Sequence, residues 1–136
     1  MALVGGAIAL QPAINAGLAR ATGNLAAALV SFIIGTVALA AIVVAAGQAG
    51  DLAGSFDVRW YYLLGGLLGA LYVTTALIVV GTIGAGGVAA ATVTGQLTAS
   101  MVLDRLGVLG LVQIPFTPSR LIGVGLLLLG TYLVVR

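Results

Sequence analysis

Apolar residues gather in five stretches, and the charged positions fall between them or near their ends. The stretches run Ala2–Ala19, Leu25–Ala46, Trp60–Val80, Gly84–Leu103 and Pro118–Val135. Each has about the twenty residues that an α-helix needs to cross a hydrocarbon core about 30 Å thick. In lipid, only helices and closed barrels satisfy every backbone polar group. The pattern therefore predicts an all-α membrane protein with five transmembrane helices, forming one domain over residues 1–136.

Finer patterning marks the ends and faces of these helices. In the first, Gln11 and Asn15 are four apart and share a face, with Pro12 between them. A proline inside a helix removes one backbone hydrogen bond and frees the carbonyl four residues earlier. Gly23-Asn24 predicts a tight connection into the second helix, where Ser31, Gly35 and Thr36 are expected to pack. The connection from Gly47 to Arg59 holds Gln48, Asp51, Ser55 and Asp57 and reads as aqueous. Trp60-Tyr61-Tyr62 then marks the entry of the third helix, since such rings favour the membrane–water boundary.

The fourth stretch carries the strongest motif. Gly87, Ala91, Gly95 and Ala99 recur every four residues as a smooth stripe suited to dimer or helix packing. Beside it, Thr92, Gln96 and Ser100 repeat at the same spacing. Asp104-Arg105 is expected to close this helix as a solvated boundary pair. Thr117-Pro118 reads as the N-cap and first-turn proline of the fifth.

Composition narrows the function. Of 136 residues only 6% are charged, against about 25% in a soluble domain. The five Lys+Arg are all arginine, the three acidic residues are Asp51, Asp57 and Asp104, and Cys and His are absent. Disulfides, thiolate metal sites and imidazole chemistry are thereby excluded, and a scattered net charge of +2 does not suit nucleic acid. No basic residue precedes the first apolar stretch, so it is expected to be a helix rather than a cleaved leader. Five crossings would put Arg59, Arg105 and Arg120 on one side and Arg20 and Arg136 on the other. That balance gives no clear orientation and predicts that the chain inserts both ways round.

Polar side chains at mid-membrane depth are the only material for a site. Gln11, Tyr72, Thr92 and Gln96 fall near the midplane, with Asn15 and Thr75 about a turn away. Transporters built from inverted repeats bind substrate at this depth, often beside a broken helix. The candidate substrate-binding set is Gln11, Asn15, Tyr72, Thr92 and Gln96, with Pro12 as the kink. The competing reading is that these groups only form interhelical hydrogen bonds, worth about 0.6 kcal/mol each on average. No Asp or Glu lies inside the five stretches, which disfavours proton coupling through an embedded carboxylate. An enzyme would need a nucleophile with its base, or a metal site, and the stretches offer no His, Cys or carboxylate. No catalytic residue, metal or cofactor is predicted.

Gly95-Gln96-Leu97 through Ser100, then Asp104-Arg105-Leu106-Gly107, Gly110, Pro118 and Arg120-Leu121-Ile122-Gly123, resemble the half-length YdcZ-type family of the drug/metabolite transporter superfamily. Gln11-Pro12-Ala13-Ile14-Asn15, Gly23 and Ser31 to Gly35 look like the same family's first two helices. The resemblance implies a bacterial inner-membrane half-transporter that pairs, with itself or with an oppositely oriented sister chain, into a ten-helix antiparallel dimer. Its expected partners are the lipid bilayer and a small polar or cationic solute, moved by alternating access. The alternative is a non-transporting membrane assembly subunit.

Overall fold

A computed structural model describes residues 2–108 and 112–136. Gly110 lies outside the described residues. Among the described residues there are four α-helices, α1 (Ala2–Thr22), α2 (Asn24–Ala45), α3 (Leu64–Leu106) and α4 (Pro118–Val135), with 3₁₀ segments at Ala49–Phe56 and Trp60–Leu63. No strand occurs among the described residues. Three helical runs among the described residues are long and apolar enough to cross a membrane: Asn24–Ala45, Trp60–Leu106 and Pro118–Val135.

The third and fourth predicted helices appear as one element of 43 residues, and Gly84 divides it. Without a break α3 would be about 65 Å long, twice the hydrocarbon thickness. Gly84 has φ 71° and ψ 170°, a conformation that belongs almost solely to glycine. Gly23, the one residue between α1 and α2, has nearly the same backbone, φ 82° and ψ 159°. Its N–H still donates to the Ala19 carbonyl at 2.8 Å, and its own carbonyl accepts from Ala27 N–H at 3.0 Å. The chain thus turns at a single residue with little loss of backbone hydrogen bonding.

Three predicted boundaries shift. The third helix becomes α-helical only at Leu64, after the 3₁₀ segment Trp60–Leu63, rather than at Trp60. Helix α1 runs on to Thr22 rather than ending at Ala19, because the glycine that stops it is Gly23. Helix α3 runs to Leu106, so Asp104 and Arg105 lie within its last turn instead of beyond its end. Gly107, at φ 60°, then ends it. Helix α4 begins and ends where its pattern predicts: Thr117 Oγ1 accepts from Arg120 N–H at 3.3 Å, and Pro118 occupies the first turn. Thr117→Ala should cost about 1 kcal/mol of stability. A lower thermal midpoint of the detergent-purified protein, with the site undisturbed, is the expected measurement.

The chain divides into two compact units, and each has its own packing. The unit Leu10–Gly81 is built on Ala27, Ala28, Val73 and Leu77, with Ala16, Leu18, Ala19, Phe32 and Tyr72 packed around them. Ala27 is fully enclosed, and alanine at this contact lets α1 and α2 approach closely. Gly69 does the same for an aromatic ring: a Cβ there would sit 3.3 Å from Phe32 Cζ. The other unit joins the start of α1, as far as Ala9, to Thr82–Arg136. In it α3 and α4 are linked by threonines. Thr94 and Thr131 share a hydroxyl–hydroxyl bond, and Thr131 Oγ1 donates to the Ala90 carbonyl at 3.1 Å. Around both units the large apolar side chains point outward, Leu3, Leu10, Leu39 and Leu133 among them. Such an exterior has no place in water and suits lipid.

Candidate functional site

Helices α1, α2 and α3 bring together the amide-bearing face predicted from the first stretch. Gln11, Pro12, Asn15 and Tyr72 line one recess with Val73, Ala76 and Leu77, and it has no room for a water molecule. Pro12 and Asn15 are buried; Gln11 and Tyr72 are half-buried. Helix α1 continues through Pro12 rather than breaking there. Buried polar groups need partners, and Asn15 Nδ2 donates to Ser31 Oγ at 3.2 Å. Asn15 therefore acts in this conformation as a clasp between α1 and α2.

Gln11 differs from Asn15. It also borders a cavity of ≈190 Å³ whose walls are Ser31, Phe32, Gly35, Thr36 and Leu39 of α2. Ser31, Gly35 and Thr36 were expected only to pack, yet they supply two hydroxyls and an open glycine to this space. A Cβ at Gly35 would meet nothing within 4 Å. One amide, two hydroxyls and the Phe32 ring can hold an uncharged hydrogen-bonding group or the face of a cation.

Thr92 and Gln96 belong to the other unit, Thr92 half-buried and Gln96 exposed. Of the small-residue stripe, Gly87 is buried against Ile83, with Ile83 Cβ 3.0 Å from where a Cβ would sit. Ala91, Gly95 and Ala99 are exposed, and a Cβ at Gly95 would meet nothing within 4 Å. Most of the stripe is thus unpacked within the chain.

Three polar contacts were not anticipated. Thr94 is buried and bonded to Thr131, although neither stood out in the spacing of polar positions. The available signal was Thr131 itself, a hydroxyl deep in the Leu/Val/Gly run of α4. Ser31 is the partner of Asn15. Asp104 does not pair with its neighbour Arg105 but with Arg120 of α4, Oδ2 to Nη1 at 3.4 Å.

Long apolar helices carry this small set of amides and hydroxyls, Gln11, Asn15, Ser31 and Thr94 within the packing and Gln96 exposed. The family described as "Putative inner membrane exporter, YdcZ" matches residues 1–133. The chain belongs to the YdcZ family. No curated protein and no solved structure matches it. This YdcZ chain is accordingly a multi-pass inner-membrane protein of transporter type, from an exporter family rather than an enzyme family.

Proposed function

We propose that this YdcZ chain is a half-transporter with five crossings, α3 supplying two of them through the Gly84 break. It pairs with a second, oppositely oriented copy and moves a small polar or cationic solute by alternating access. Gln11, Asn15 and Tyr72, together with Thr92 and Gln96, are the residues assigned to the solute path. The observation that carries this reading is the place of Gln11, between a dry recess and a polar-walled cavity. At ≈190 Å³ that cavity falls below the roughly 300 Å³ at which ligand pockets begin. A second copy is the natural source of the missing wall, and the unpacked stripe at Ala91, Gly95 and Ala99 offers it a close seat.

A solute screen by thermal stability on the purified protein tests the transporter reading. A ligand that binds only the folded form at about one hundred times its Kd adds roughly 2.7 kcal/mol. Reporter fusions at Arg136 test the pairing: activity is expected on both sides of the membrane in one population of cells. A single fixed orientation would count against antiparallel self-pairing and favour a sister chain as the partner. The Asn15–Ser31 bond across a dry contact favours the second reading, an assembly subunit. Under that reading no solute stabilises the protein, and loss of Asn15 weakens the fold alone.

A further inference from the structure

The pairing of Asp104 with Arg120 closes one end of a groove of ≈240 Å³ between the last turns of α3 and the first turns of α4. Leu97 and Met101 of α3 and Val124 and Leu127 of α4 wall the rest of it. Leu97 and Leu127 each stand two turns along their helix from the ion pair, about 10 Å deeper. The groove is therefore charged at a helix end, where lipid headgroups lie, and apolar toward the bilayer interior.

The ion pair itself is open. Its 3.4 Å separation is longer than the 2.7–2.9 Å of a firmly engaged charge-assisted bond. The Arg120 side chain is 36% exposed and that of Asp104 26%. A guanidinium has five N–H donors in a fork that matches phosphate, and only one is spent on Asp104. We propose that this groove binds a phospholipid with a phosphoethanolamine headgroup, independently of the solute path. The phosphate bonds to Arg120, the ammonium bonds to Asp104, and one acyl chain lies along Leu97, Met101, Val124 and Leu127. Each member of the ion pair exchanges its partner for one of like charge, so neither is left unpaired. A choline headgroup has no N–H to give Asp104, and a glycerol headgroup brings the phosphate without the cation.

Native mass spectrometry of the full chain, released from nanodiscs of equal phosphatidylethanolamine, phosphatidylcholine and phosphatidylglycerol with matched acyl chains, tests this. The wild type should retain the ethanolamine lipid about fivefold over each of the others, the worth of roughly one net hydrogen bond. Asp104→Asn leaves a neutral acceptor oxygen in place of a charged one and should lower the ethanolamine-to-choline ratio toward one. Gly123→Leu keeps both charges and adds bulk to the groove that Gly123 lines, at a position where a Cβ meets nothing within 4 Å. It should lower retention of the ethanolamine lipid severalfold. Equal retention of the three lipids by the wild type, or an unchanged preference in Asp104→Asn, would overturn the proposal. So would a Gly123→Leu variant that loses self-association while keeping its lipid, since the groove would then seat a second copy. Displacement of the lipid by water-soluble phosphoethanolamine would reassign the site to a soluble zwitterion and overturn the lipid assignment.

Discussion

Gln11→Leu should lower transport, or solute-induced stabilisation, by about tenfold or more while the protein stays folded. One or two hydrogen bonds to solute are lost, and tenfold corresponds to about 1.4 kcal/mol. Leucine suits the site sterically, because Gln11 borders open space on its α2 side. Asn15→Leu is the informative companion. It removes the partner of Ser31, whose hydroxyl can fall back on a carbonyl of its own helix, so the structural cost should stay near 0.6 kcal/mol. If both variants kept full transport, the assigned site would be wrong and the amides would be structural. Gly95→Leu separates pairing from chemistry. A Cβ there meets nothing within 4 Å and the position is exposed, so the monomer should fold while self-association falls. Loss of the folded monomer in that variant would mean that the stripe packs internally.

Gly84→Val should destabilise the protein by about 1–3 kcal/mol and disturb its insertion, because φ 71° with ψ 170° is close to forbidden for a β-branched residue. Gly86→Val is the control: Gly86 has no positive φ, and a Cβ there meets open space. Thermal unfolding in detergent reads the first effect, and the yield of membrane-inserted protein reads the second. If Gly84→Val matched the Gly86 control in stability and yield, the break would not depend on this residue. Gly23→Val should resemble Gly84→Val, since the two turns share one backbone conformation.

The limits of α4 were legible because the signals at its start are local: Thr117 caps, Pro118 follows, and the apolar run ends at Val135. Gln11 and Asn15 were legible as a face because four residues along a helix bring side chains together whatever surrounds them. The convergence of Tyr72 on that face was expected from depth alone, and the structure places it there. What escaped the sequence is cross-helix pairing. Whether Thr94 meets Thr131, or Asp104 meets Arg120, depends on how two helices are rotated against each other. Hydropathy does not record that rotation. Adjacent charges such as Asp104 and Arg105 look like partners on paper, yet they stand about 100° apart around a helix. The Gly84 break was visible only as an uncharged connection, since apolar residues continue on both sides of it.

The one-residue turn at Gly23 also acts as a gauge. Asn15 and Ser31 are sixteen positions apart, and Gly23 is the midpoint between them. Equal lengths of helix run back from the turn to each, so the amide and the hydroxyl come level with one another along the hairpin. One residue added on either side would displace its partner by about 1.5 Å along the axis and swing it through about 100°. The amide would then face hydrocarbon instead of an oxygen. A glycine on the periphery thus holds two polar groups in register across the interior, and the length of this turn is as constrained as the identity of the residues it aligns.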